Sequence, residues 1–196
     1  MIRVVHPIEV ESYRILRERI DLGHLPPLSR AVTERVVHAS ADLAYVTDLV
    51  CDETALAGGL AALRAGAPVV ADVAMVAAGI TGRVVTCPIA EPATAALARA
   101  AGITRSAAAM RLALDRVGPG AVWVVGCAPT ALDELLSLPA RPALVVGLPV
   151  GFVGAVESKA ALRASGLPAV SNQGEKGGSA VAAAALNALL HLEGEQ

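Results

Sequence analysis

Short apolar runs that alternate with helical stretches constrain this chain more than any other feature. Val69-Val70-Ala71, Val84-Val85-Thr86, residues 121–125, Ala143-Leu144-Val145-Val146 and residues 168–171 are each too short for a buried helix. Most are cut off by a glycine or a polar residue. Continuous rather than alternating apolar character is what strands buried on both faces require. Helical stretches separate them, at residues 92–101, 104–110, 129–137, 157–164 and 180–190. The pattern predicts an α/β fold, three layers α/β/α around a mostly parallel sheet, in a single domain spanning residues 1–196. There is no internal repeat and no low-complexity linker.

The densest stretch lies between residues 143 and 190. After the Ala143 run, Gly147, Gly151 and Gly154 punctuate a loop containing Pro149, and a helix follows with Lys159 and Arg163 on one face. A second turn, Gly174-Glu175-Lys176-Gly177-Gly178-Ser179, leads into an Ala-rich helix opened by Ser179. A glycine turn running into a helix collects unpaired amides and the positive end of the helix dipole, so carboxylates and phosphates are its natural ligands. Neither loop has the spacing of a Walker A motif or of a dinucleotide fingerprint. On spacing alone the turns read equally as anion cradles and as ordinary strand-to-helix connections.

Composition narrows the function classes. Hydrophobic residues make up 55% of the 196 residues and charged residues 17%. So apolar a chain predicts that a partner subunit covers part of its surface. Net charge is -2 and aromatic content 2%, which argues against nucleic acid, whose ligands want a basic or aromatic surface. Asp72 and Asn187 interrupt the two longest apolar candidates, so no membrane span is expected. Residues 1–7 lack the apolar core of a signal peptide. Cys51, Cys87 and Cys127 are odd in number and unpaired in spacing, as reduced thiols in the cytoplasm would be; they do not suggest a metal site.

The N-terminal region reads as two helices. Residues 8–20 are amphipathic and carry Ser12, unremarkable in itself since most helix serines face solvent or bond back to a carbonyl. A second helix is expected to start near Ser29 as N-cap and to carry Arg35, His38 and Asp42 on one face. In that trio Arg35 would hold an anion, His38 move a proton and Asp42 orient the imidazole. An ordinary surface helix with one incidental histidine has the same pattern. Asp72 ends a strand where ligand-facing residues collect in parallel sheets. Thr104 is the expected N-cap of a helix whose first turn holds Arg105, a cation placed against the dipole and thereby a candidate for an anionic ligand.

Several blocks resemble a known family. They are Thr104-Arg105-Ser106-Ala107-Ala108-Ala109-Met110, Ala128-Pro129-Thr130-Ala131-Leu132, Gly151-Phe152-Val153-Gly154-Ala155 with Glu157-Ser158-Lys159, Lys176-Gly177-Gly178-Ser179-Ala180, and Asn187. In kind and order they are similar to the precorrin-8X methylmutases of cobalamin biosynthesis, over residues 8–190. Two blocks depart from the family pattern. Cys127 stands where relatives often carry Asn, and Asn172-Gln173-Gly174-Glu175 stand where relatives often carry basic residues before the glycine pair.

The resemblance implies an isomerase that moves a methyl group from C-11 to C-12 of a corrin-type macrocycle. Precorrin-8X would become hydrogenobyrinic acid, or cobalt-precorrin-8 cobyrinic acid. It implies no nicotinamide, flavin or added metal. It makes His38 the catalytic residue, in the block Arg35-Val36-Val37-His38-Ala39, with Ser12 and Arg35 at substrate-contacting positions. Arg105, Lys176, Gly177, Gly178 and Ser179 are the further candidates for binding the carboxylates that rim the macrocycle. It also implies a homodimer with the macrocycle near the subunit boundary, and channelling of product to neighbouring pathway enzymes. A corrinoid carrier without turnover is the alternative, and a phosphate-binding regulator is supported only by the glycine turns.

Overall fold

The computed structural model describes residues 6–193; the N-terminal residues read above for a signal peptide lie almost wholly outside that range. Its elements, in chain order, are α1 (Pro7–Arg19), α2 (Pro27–Ser40), α3 (Tyr45–Asp48), β1 (Leu49–Cys51), α4 (Glu53–Arg64), β2 (Val69–Ala71), α5 (Ala74–Gly79), β3 (Val85–Thr86), α6 (Pro92–Ala101), α7 (Arg105–Val117), β4 (Val122–Val125), α8 (Pro129–Ser137), β5 (Leu144–Gly147), α9 (Ala155–Ala164), β6 (Ala169–Asn172) and α10 (Ser179–Glu193). The strands form one sheet in the order β1-β6-β5-β4-β2-β3. All pairs are parallel except β1 with β6.

The expected three-layer α/β/α architecture is present. Period-two alternation along the strands sorts side chains to two faces. Val69, Ala71, Val122, Val124, Leu144, Val146 and Val170 join a core with α2, α4 and α10, while Val70, Trp123, Val125 and Val145 join one with α7, α8 and Leu162 of α9. Helix α10 is apolar on every side because it is buried on every side, between sheet and α2. Its one buried amide, Asn187, accepts from Thr81 N–H at 3.0 Å and donates to Gly79 O at 2.8 Å, closing the end of α5.

The sequence reading needs four corrections here. Strand β1 was not expected; three residues on an antiparallel edge carry no periodic signal. Helix α5 was not expected either. Ser29 is not the N-cap of α2: the helix starts at Pro27, whose fixed φ suits a first helical position, after Pro26. Ser29 lies in the first turn, where Glu53 accepts from the amides of Leu28 and Ser29 at 2.8 and 2.9 Å and from the Ser29 hydroxyl at 2.7 Å. Asp42 is not on α2, which stops at the left-handed Ala41.

In a parallel sheet the carboxyl ends of the strands share one edge. Here the chain runs from β2 to β3 in one direction and from β4 through β5 to β6 in the other, so the topology switches between β2 and β4. That is where open α/β sheets usually admit a ligand. In this protein Asp72, fully buried, occupies it. Its carboxylate accepts from the amides of Gly126, Cys127 and Ala128 at 3.1, 2.9 and 2.9 Å. Asp72 therefore binds the protein's own backbone rather than facing a ligand, contrary to the sequence reading.

Candidate functional site

Helix α1 lies on α2 and turns Glu9, Ser12, Tyr13 and Leu16 toward it, the i, i+3, i+4, i+7 face of a helix. Leu16 is the apolar anchor. Ser12 and Tyr13 then meet His38 in the last turn of α2. Ser12 Oγ is 3.1 Å from His38 Nδ1. The Tyr13 ring stacks on the imidazole with centroids 4.4 Å apart and planes 10° from parallel. Ser12 and His38 are thus brought together, and the group on Nδ1 is Ser12, not Asp42. A hydroxyl can donate to a bare Nδ1 or accept from a protonated one, so it holds the ring in either charge state. Tyr13 escaped the sequence reading; its signal was the 9, 12, 13, 16 spacing.

Arg35 sits one turn before His38. Its guanidinium donates to Glu9 at 2.8 Å and to the Tyr13 hydroxyl at 3.1 Å. Burial opposes the charge, but those two partners outweigh it and raise the Arg35 pKa. Arg35, Glu9, Tyr13 and His191 share a cleft of about 390 Å³. The cation is present where expected, already paired with an internal carboxylate.

The second glycine turn stands next to α2. Lys176 Nζ is 2.7 Å from Asp42 Oδ2 and lies 5.4 Å above the Tyr45 ring. The Lys176 bond, with one from Ala44 N–H, lowers the Asp42 pKa. Buried Tyr45 is pushed up to about 12 by its burial and the nearby charges of Asp42 and Asp48, so it stays a neutral platform. Gly177 lies directly on the other loop: a Cβ there would stand 2.2 Å from Leu148 O, and only glycine can approach so closely. Gly178 N–H donates to Leu148 O at 2.9 Å, and Gly151 N–H to Glu175 O at 3.1 Å. The two glycine loops form one surface, with Ser179 opening α10 beside it. Arg105 is exposed in the first turn of α7, and its N-cap Thr104 shares a 2.8 Å hydroxyl contact with Thr130 at the start of α8.

The element order and this geometry can be set against known proteins. The precorrin-8X methylmutase family model matches residues 7–192. The chain belongs to the precorrin-8X methylmutase family. It is 40% identical to the precorrin-8X methylmutase of a Sinorhizobium species, over 96% of this chain and 95% of that one. It is 44% identical to the cobalt-precorrin-8 methylmutase of Methanocaldococcus jannaschii, over 81% and 77%. The crystal structure of precorrin-8X methyl mutase from Thermus thermophilus superposes with a TM-score of 0.87 at 37% identity, covering 96% of this chain and 98% of that one. The family resemblance read from the sequence blocks is therefore correct, and the protein is a methylmutase-family isomerase by descent.

Two further features bear on the site. Among the described residues no group of three or more His, Cys, Asp or Glu is placed to hold a metal ion, and no helix is long and apolar enough to cross a membrane. A cavity of about 860 Å³ lies elsewhere, lined by Cys51, Asp52, Thr54, Arg163 and Leu167. It contains none of the residues that the family blocks single out for substrate.

Proposed function

We propose that this protein catalyses the C-11 to C-12 methyl shift on precorrin-8X, giving hydrogenobyrinic acid, or on cobalt-precorrin-8, giving cobyrinic acid, in cobalamin biosynthesis. The observation that carries the reading is the imidazole of His38, held on one nitrogen by Ser12 and on one face by Tyr13. A methyl shift within one molecule needs no nucleophile and no redox partner. Protonating a ring nitrogen of the macrocycle makes the migration terminus electron-poor and lowers the barrier. His38 is the proton donor in this reading, and Ser12 accepts from Nδ1–H while the ring is charged. General acid help of this kind is worth roughly 10²–10⁴-fold. Holding the macrocycle in a reactive shape supplies the rest.

The substrate is an apolar disc with a rim of carboxylates. Lys176 with the Gly177-Gly178-Ser179 turn, Arg35 and Arg105 are its proposed carboxylate partners. Arg35 and Lys176 are held ready by Glu9 and Asp42, which a substrate carboxylate would replace. A homodimer with the site at the subunit boundary fits the exposed apolar residues nearby. Phe152, the only phenylalanine, is 96% exposed, and Ile8 on α1 is 73% exposed. Cytoplasmic location and hand-over of product to a neighbouring enzyme follow from the same reading.

His38→Ala should lose at least roughly 100-fold in turnover while still binding hydrogenobyrinic acid. Turnover near that of the wild type would refute the assignment. Tight product binding by a wild type with no turnover on either substrate would favour a carrier instead.

A further inference from the structure

A lysine that the proposed chemistry does not use lies beneath the Lys176 turn. Lys159, on α9, is fully buried. Its Nζ donates to Asn172 Oδ1 at 2.9 Å, to Lys176 O at 2.7 Å and to Gly174 O. An ammonium has three N–H donors and no acceptor, so these three oxygens use all of it. Asn172 is itself fixed. Its Nδ2 donates to Asp48 Oδ2 at 2.7 Å and to Lys176 O at 2.9 Å, while Asp48 Oδ1 accepts from the amides of Gln173 and Gly174 at 3.0 Å each. Every one of these groups grips the stretch from residue 173 to residue 176.

The consequence follows from peptide geometry. In a trans peptide the C=O and the following N–H point in opposite directions, and there are no cis peptides among the described residues. Lys159 draws the carbonyls of Gly174 and Lys176 inward. The amides that follow them, of Glu175 and Gly177, must then point away from the buried amine. A turn whose oxygens are gathered inward presents hydrogens outward, which is what an anion needs.

We propose that Lys159 is a positioning residue for carboxylate binding: it pulls two carbonyls of the 173–178 turn into the core and so aims the Glu175 and Gly177 amides at a carboxylate of the ligand. The inference rests on the reading of this turn as part of a corrinoid site. Lys159 touches no ligand itself. It acts through the backbone, and Lys176 adds the mobile charge beside the two fixed amides.

Lys159→Met keeps the aliphatic stem and removes the three donors. It should weaken hydrogenobyrinic acid binding at least tenfold and raise KM for precorrin-8X by a similar factor, with kcat within twofold of the wild type. A lysine that merely supports the fold would lower the melting temperature without this split. Unchanged binding, or a fall in kcat at constant KM, overturns the proposal. Should that variant not fold, the wild type decides. On titration with hydrogenobyrinic acid the ¹⁵N–¹H signals of Glu175 and Gly177 should shift and saturate with the absorption change; binding without movement of those two signals overturns the proposal. A wild type that binds neither hydrogenobyrinic nor cobyrinic acid defeats the reading of function instead. The same two amides are then followed against citrate: saturable shifts sustain the positioning role, and their absence ends it.

Discussion

Two turns at the carboxyl edge of the sheet are held by buried charges of opposite sign. After β4, the carboxylate of Asp72 gathers three backbone amides. After β6, the ammonium of Lys159 gathers two backbone carbonyls and an amide oxygen. The charges are reached from neighbouring elements, Asp72 from the end of β2 and Lys159 from α9. The outcomes are opposite. Asp72 consumes the donors that an anionic ligand would use, so the turn at the topological switch is closed to such a ligand. Lys159 consumes acceptors, so its turn is left facing outward with donors. Burial pushes the Asp72 carboxyl up against the pull of its three amides, and pushes the Lys159 amine down to about 8. Each charge is retained in the core because removing one partner of a buried polar set costs more than the set contributes.

The comparison breaks first at Asp72. Asp72→Ala would strand three amides and should cost on the order of 3–5 kcal/mol of stability, measured as a shift of the urea midpoint. The folded fraction should keep the wild-type KM, because this turn meets no ligand. A loss below about 1 kcal/mol would mean that the carboxylate is not what holds the turn.

Lys176→Ala tests the open turn. It should weaken hydrogenobyrinic acid binding by about 1.5–3 kcal/mol, the range of a charge-assisted contact. Stability should fall by less than about 1 kcal/mol, since the ion pair with Asp42 is largely solvent-screened. The reverse pattern, lost stability with intact binding, would make Lys176 a structural tie rather than a clamp.

Gly177→Ala sharpens the role of contact between the loops. The added Cβ would meet Leu148 O at 2.2 Å and Pro149 O at 2.7 Å, and both are backbone. Forcing them apart should cost about 1–3 kcal/mol, seen in thermal melting, with weaker product binding in step. An undisturbed melt would show that the turn is not pressed onto the first glycine loop.

The smallest effect is on pH. Lys159 holds its proton in the fold only up to about pH 8, against 10.5 ordinarily. Burial is the main cause, opposed by the charges of Asp48 and Glu175 and assisted by Arg163. Between pH 8 and 10.5 the unfolded chain binds the extra proton, so this group adds stability as pH rises through that window. A neutral amine has one donor fewer for its three acceptors, so the turn loosens. Product affinity should therefore fall severalfold as pH rises through about 8 while the lysine's own contribution to stability grows, and Lys159→Met should lack that step. An affinity profile identical in wild type and Lys159→Met would separate Lys159 from the turn.

The amino-acid sequence by itself determined the layered α/β fold, the places of most strands and helices, and the family. These rest on local properties: runs of apolar residues, helix caps such as Thr104, and glycine turns, all read within a few neighbouring positions. It also brought Ser12, Arg35 and His38 forward, through blocks resembling a family rather than through spacing. Tertiary structure decided the rest. Spacing pointed to Asp42 as the partner of His38, but α2 ends at Ala41 and a serine 26 residues away takes that place. Asp72 reads as a ligand-facing carboxylate, yet its donors come from a loop 54 to 56 residues later. Lys159 reads as one face of a helix with Arg163; its acceptors lie 13 to 17 residues on, across a strand. A charged side chain at a strand end or on a helix face is compatible with solvent, ligand or backbone as its partner. Which of the three it meets depends on elements that only folding brings within hydrogen-bond distance.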